Sequence, residues 1–268
     1  MGQGDATLIR APSGQVVLID AGPAHAGDAP GIAEHLHRLA VEQVDLLIAS
    51  HNHADHIGGV PEVLKTVPVG LFLDNGIPHT TATYRRMLQA LVEADVPLLE
   101  PERRSIEMGE AVLEILPPPG DEGLGHNDNS VGVVLRYGDF RATFAGDAEA
   151  ALWRHWLREL PRALGPVDVH KASHHGSRNG DTPEAMERLG PRLVVVSAGR
   201  NNRYGHPHAE ALALYRAAGA RILTTAEAGS ITVRATPDGG FLVDGMDPWR
   251  LPRLSFPVTG SHAVHGAY

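Results

Sequence analysis

The sequence predicts a layered α/β sandwich built as one domain. Three observations carry that reading. Apolar runs of strand length alternate with stretches whose apolar residues recur at helical spacing. Both halves of the chain mix the two patterns, which favours sheets covered by helices over a closed barrel. No repeat, low-complexity stretch or linker divides the 268 residues, a length equivalent to about 1.8 average domains.

The elements follow in order. Residues 6–10 and 15–20 flank Pro12-Ser13-Gly14, a turn signal between two apolar runs, and read as a hairpin. Residues 30–41 carry Ile32, Leu36 and Leu39 at helical spacing, and 44–49 form a continuous buried strand. Further helical patterns cover 57–65, 81–94, 148–160, 183–189 and 209–218. Buried-strand runs occupy 69–73, 111–116, 131–137, 141–145, 167–172, 193–197, 222–225 and 231–235. Beyond 247, proline and glycine punctuation leave no clear element, so residues 1–246 read as the domain and 247–268 as an irregular C-terminal tail.

With 43% hydrophobic and 21% charged residues the chain is too apolar for a disordered protein. Its apolar runs, such as Val16-Val17-Leu18-Ile19, fall far short of the roughly 20 residues that cross a bilayer. Met1-Gly2-Gln3-Gly4-Asp5 has neither the basic nor the apolar region of a secretory signal. A chain without membrane insertion is expected. The absence of cysteine fits a cytoplasmic location and rules out disulfides, thiolate metal sites and cysteine nucleophiles. The net charge of −9 argues against a surface that coats nucleic acid, while leaving room for a local basic groove. Sixteen histidines are far more than the roughly 2% usual in proteins, and with several well-placed aspartates they point to an imidazole–carboxylate metal site.

The strongest signal is Ser50-His51-Asn52-His53-Ala54-Asp55-His56-Ile57-Gly58-Gly59, between a strand and a helix. Four ligand-capable side chains in six residues converge only if the loop folds around something. A solvated loop, or an Asp55 helix cap, needs no such clustering. Alternation presents His51 and His53 on one side, while Asp55 and His56 turn into the helix start, so one loop can serve two neighbouring ions.

This loop resembles the H-x-H-x-D-H signature of the metallo-β-lactamase superfamily. Val17-Leu18-Ile19-Asp20-Ala21-Gly22 looks like its first motif, and Phe144-Ala145-Gly146-Asp147 like its fourth. The resemblance implies a four-layer αββα sandwich with metals at one edge between two sheets. It further implies that Asp20 orients the metal loop and that Asp147 bridges the ions. Gly125-His126-Asn127-Asp128-Asn129-Ser130 resembles the family's third motif and makes His126 a candidate ligand. Gly2-Gln3-Gly4-Asp5-Ala6, His174-His175-Gly176-Ser177 and Tyr204-Gly205-His206-Pro207 narrow the likeness to the soluble hydrolase domain of ComEC-type competence proteins, over residues 2–235. By position His206 resembles the last ligand. His174 resembles a further ligand, or the imidazole that stabilises charge in the transition state. His175 is expected to matter less than His174. His25, His35, His37, His79, His155, His170, His208, His262 and His265 are expected to be exposed or incidental.

The expected metal ligands are therefore His51, His53, Asp55, His56, His126, Asp147 and His206, with Asp55, His174 and Asp20 assisting catalysis. Two divalent ions held this way, Zn²⁺ on ligand type with Mn²⁺ as the alternative, make a hydrolytic site in which a bridging water becomes the nucleophile. Neither a phosphate-cradling P-loop nor a G-x-S-x-G elbow offers rival chemistry. Phosphodiesters suit two metals, which can clamp attacking and leaving oxygens, and the competence-protein resemblance implies a nuclease. Lys171, Arg178, Arg200, Asn202 and Arg203 flank the ligand loops and are candidates for binding a small-molecule or nucleic-acid phosphodiester. Two other readings stand beside this one. The first is a small-molecule hydrolase acting on a lactone, β-lactam, phosphotriester or phosphocholine ester; the second is a binding module with a degenerate site.

Overall fold

A computed structural model of the chain describes residues 2–24, 31–245 and 254–255. The first sheet is built from β1 (Thr7–Arg10), β2 (Val16–Ile19), β3 (Val44–Ile48), β4 (Val69–Leu73) and β5 (Leu98–Leu99), in that order. After the antiparallel β1–β2 hairpin its strands run parallel. The intervening helices are α1 (Ile32–Arg38), α2 (Ala54–Ile57), α3 (Val60–Thr66) and α4 (Ala82–Glu93).

The second sheet contains β6 (Arg104–Met108), β7 (Ala111–Leu116), β8 (Gly132–Tyr137), β9 (Phe140–Phe144), β10 (Val169–Lys171), β11 (Leu193–Val196) and β12 (Arg221–Thr224), adjacent in chain order. It is antiparallel from β6 to β9 and parallel from β9 to β12. Its helices are α5 (Ala150–Glu159), α6 (Pro183–Leu189), α7 (Ala209–Ala217) and the single turn α8 (Thr225–Ala228). A small antiparallel sheet of β13 (Ile231–Ala235), β14 (Phe241–Gly245) and β15 (Leu254–Ser255) completes the described fold.

Side-chain alternation produces the layers. In β2 every residue is buried. Val17 and Ile19 point to the second sheet, where they meet Leu113, Ile115 and Val133, while Val16 and Leu18 point to Leu36, Val63 and Met87 on the helices. A strand covered on both faces reads as an unbroken apolar run. On the far side, Trp153 and Trp156 of α5 pack with Val134 and Val194 of the second sheet and with Tyr215 of α7. The order is thus helices, sheet, sheet, helices: the four-layer sandwich.

Two expectations are corrected. Residues 57–65 form two helices, α2 and α3, because Gly58-Gly59 redirects the chain; a Cβ on Gly59 would lie 2.2 Å from the Ala21 carbonyl oxygen. Strands β5, β6 and β14 escaped the apolar-run criterion; β6 (Arg-Ser-Ile-Glu-Met) is an edge strand with Ser105 and Glu107 facing out. Of the tail from 247 onward, only Leu254–Ser255 lies within the described residues, and it pairs with β14 as β15. Among the described residues no helix is long and apolar enough to cross a membrane.

Candidate metal centre

The loops that carry the ligand candidates leave the carboxyl ends of β2, β3, β9, β10 and β11, so all of them open at one edge of the sandwich. Asp20 follows β2 in a left-handed conformation (φ 58°), which aspartate tolerates better than most residues. Its Oδ1 accepts the Ser50 amide (2.7 Å), and its Oδ2 accepts the Ser50 hydroxyl (2.8 Å) and His56 Nδ1–H (2.8 Å). Ser50 Oγ also lies 3.2 Å from His51 Nδ1. These bonds turn the Nε2 atoms of His51 and His56 toward Asp147, the arrangement that orients imidazole ligands in metalloproteins. Asp20→Asn should therefore weaken metal binding by roughly 10–100-fold. Competition against a chelator would show this while circular dichroism shows a retained fold.

Asp147 lies at the centre. Its Oδ1 is 3.3 Å from His56 Nε2, and its Oδ2 is 3.8 Å from His51 Nε2, 3.7 Å from His175 Nε2 and 3.8 Å from His174 Nε2. On one side His51 Nε2 is 2.9 Å from His53 Nδ1. On the other, Asp5, His56, Asp147 and His175 are all buried and offer ligand atoms within 4.8 Å of one another. Asp55 Oδ2 sits at the rim of this second group, 3.3 Å from His175 Nε2.

The site passes a direct test of fit to a metal. Asp5 Oδ1, His56 Nε2, Asp147 Oδ1 and His175 Nε2 are buried atoms without a hydrogen-bond partner. Buried polar atoms are nearly always satisfied, so four orphans in one cluster are what a divalent cation would complete. The donors are nitrogen and carboxylate oxygen, a set that zinc and manganese both accept.

Charge tells the same story. Although burial opposes it, Asp147 and Asp20 hold the His56 imidazolium well above its ordinary range. Likewise burial is outweighed at His175 by Asp147 and Asp5, which raise it. Burial lowers His51 and His53. His206 is pushed down to about 4 by burial and by its neighbours His175 and His174. Asp55 is lowered despite its burial, by the neighbouring His175 and His56 imidazoles. The carboxylates thus demand positive charge, and a metal that supplies it must displace protons from His56 and His175, so affinity falls in acid.

Residues 1–199 match the family described as the Metallo-beta-lactamase superfamily. The chain belongs to that superfamily. ComE operon protein 3 of Bacillus subtilis (strain 168) is 28% identical over 251 residues, covering 87% of this chain and 32% of its own length. Recombination protein 2 of Haemophilus influenzae is 28% identical over 243 residues, 89% of this chain and 28% of its own. The chain therefore spans about a third of the length of these relatives. CmlA, a diiron β-hydroxylase from Streptomyces venezuelae, shares the fold at TM-score 0.51 and 17% identity, over 83% of this chain and 53% of its own. This metallo-β-lactamase superfamily chain is an enzyme of the metal-dependent hydrolase class.

Of the expected ligands, the structure brings His51, His53, His56, Asp55 and Asp147 into one cluster. His126 approaches from the turn before β8; its ring centroid is 5.6 Å from that of His53. His206 reaches the other flank, 5.7 Å from His174 and 6.0 Å from His175 between ring centroids. Its loop is organised by Asn202, whose amide donates to the carbonyls of Gly199 (2.9 Å) and His206 (2.6 Å), so this side chain is spent on the loop rather than on substrate. Lys171 corrects another expectation. It is buried and its ammonium is bound to Asp5, so it faces the metal cluster and offers nothing to a phosphate in solvent. Arg178 and Arg203 are exposed, the latter stacked on Tyr204 with its guanidinium carbon 4.9 Å from the ring centroid.

Asp5 is the main residue that sequence reasoning left without a role, although its motif was visible. The signal was glycine: a Cβ on Gly4 would lie 2.8 Å from the Asp55 carbonyl oxygen, and Asp5 N donates to that same oxygen (3.1 Å). Two other histidines are not incidental. His79 packs on His126 at 4.2 Å between centroids, and His170 is fully buried. Glu149 Oε1 lies 3.0 Å from His174 Nδ1, and that contact lowers the Glu149 carboxyl. Asn127 and Asp128 hold the third-motif turn to α5: Asn127 donates to Glu149 (3.0 Å), and Asp128 accepts the amides of Glu149 and Leu152 (3.0 Å each). His25, His262 and His265 lie outside the described residues.

Proposed function

We propose that the chain is a dinuclear hydrolase that cleaves phosphodiesters, in nucleic acid or in small molecules. The observation that carries this reading is the position of Asp147 among ligand atoms on both sides: His56 Nε2 lies 3.3 Å from its Oδ1, and the Nε2 atoms of His51, His174 and His175 lie 3.7–3.8 Å from its Oδ2. On this reading His51, His53 and Asp147, with His126 in reach, would hold one ion. His56, His175, Asp5 and the same Asp147 would hold the other, with Asp55 and His206 at its rim. When bound, two such ions supply Lewis-acid activation and a nucleophile at neutral pH, with zinc first and manganese second as the metal.

The chain's own residues do the rest. Asp20 holds the ligand loop and fixes the His56 tautomer. The Glu149 carboxylate holds His174, whose Nε2 is aimed toward Asp147 and can hold a proton for the leaving oxygen. A cleft of about 710 Å³ opens beside His206, with Arg200, Asn202 and Glu227 among its lining, and is wide enough for the flanks of a diester. Arg200 supplies a cation for phosphate oxygens there, with Arg178 and Arg203 exposed on the neighbouring loops, whereas Lys171 is buried. The competence-protein relatives support a nucleic-acid substrate, and the lack of cysteine supports a cytoplasmic site of action.

The test uses apo-protein reconstituted with Zn²⁺ or Mn²⁺ and assayed on bis(p-nitrophenyl) phosphate, single-stranded DNA, a lactone and a chromogenic β-lactam. The expected result is metal-dependent diester cleavage that disappears in His53→Ala. Turnover of the lactone or β-lactam without diester cleavage would replace this reading with a small-molecule hydrolase of carboxylic esters or amides on the same site.

A further inference from the structure

We propose that Asp181 is a positioning residue for the metal centre: its carboxylate holds the strained turn that carries His174 and His175. The proposal rests on the reading that those histidines face the metals.

His174 (φ 46°), His175 (φ 55°) and Gly176 (φ 75°) are three consecutive left-handed residues, and two of them have side chains that disfavour that conformation. Such a turn persists only where its surroundings fix it. The residue just before it, Ser173, is fully buried and is gripped twice by Asp181. Ser173 N donates to Asp181 Oδ2 (3.1 Å) and Ser173 Oγ to Oδ1 (2.8 Å).

Asp181 is itself anchored from two other elements. His170 Nε2 of β10 donates to Oδ1 (3.0 Å), and the Tyr215 hydroxyl of α7 donates to Oδ2 (2.8 Å). His170, Ser173 and Tyr215 are completely buried, and Asp181 is nearly so. One carboxylate therefore accepts four hydrogen bonds and ties a central strand, a helix and the ligand turn into one unit. Despite burial, the His170, Tyr215 and Ser173 donors hold this carboxyl below its ordinary range, so the grip persists at neutral pH. None of its partners faces the metal cluster; the network acts on the site from behind the sheet. A buried network with every carboxylate lone pair occupied specifies one arrangement.

The test is Co²⁺ loaded into the full chain and into Asp181→Asn, read by visible d–d absorption and by chelator competition, with circular dichroism as the control for fold. Asparagine keeps the shape but turns one acceptor into a donor. The expected result is a shifted Co²⁺ spectrum and an affinity lower by roughly 10–100-fold. Wild-type spectrum and affinity in Asp181→Asn, with only the melting temperature lowered, would overturn the proposal. Should that variant fail to fold, Tyr215→Phe and Ser173→Ala, each removing one hydroxyl, decide: a changed spectrum supports the role and unchanged spectra in both reject it. Failure of the wild-type chain to take up Co²⁺ would instead strike the metal-centre reading itself.

Discussion

Asp147→Ala should abolish turnover and reduce bound metal from two equivalents to one or none. The side chain is buried with four imidazoles ranged around it at 3.3–3.8 Å. Removing it takes away a ligand from each group and leaves the protons on His56 and His175 without their main electrostatic support. Lewis-acid stabilisation worth several kcal/mol goes with it, a loss of about 10³-fold or more in rate. Metal analysis alongside steady-state kinetics checks both parts. Asp147→Asn is the companion: it keeps the shape, so a matching loss assigns the effect to charge and ligation rather than to a cavity.

The second large effect separates the paired histidines. His175→Ala should lower metal affinity by roughly 10–100-fold or more, whereas His174→Ala should keep the metal and lower kcat. Sequence order favours His174; the reading of His175 as the ligand rests on its burial and its partners. His175 is buried, its Nδ1–H donates to the Ser197 carbonyl (3.0 Å), and its Nε2 is left facing Asp55 and Asp147. His174 is more exposed and turned toward Glu149. Equilibrium dialysis of the two variants, followed by kinetics at saturating metal, distinguishes them. Metal loss in His174→Ala with full occupancy in His175→Ala would restore the sequence order.

Much of this was legible before any coordinates. The alternation of buried strands and amphipathic helices foretold the sandwich, because strands covered on both faces lose their polar alternation and become unmistakable. The metal loop was legible because its ligands are contiguous. Asp5, in contrast, meets His175 only through folding; 170 residues separate them, and neither composition nor local spacing records the meeting. Lys171 looked like a surface cation because sequence cannot show that its ammonium would be buried against Asp5. The His170–Asp181–Tyr215 network was hidden for a related reason. A lone histidine and a lone tyrosine in apolar strands and helices look like core, and only their shared carboxylate gives them a role.

The most direct test of the two-ion account is the diester assay run across a metal titration of the apo-protein, with bound metal measured at each point. Activity that rises steeply between one and two bound equivalents of Zn²⁺ or Mn²⁺, and saturates at two, is the predicted result. Full activity at a single equivalent, or none at two, would contradict it.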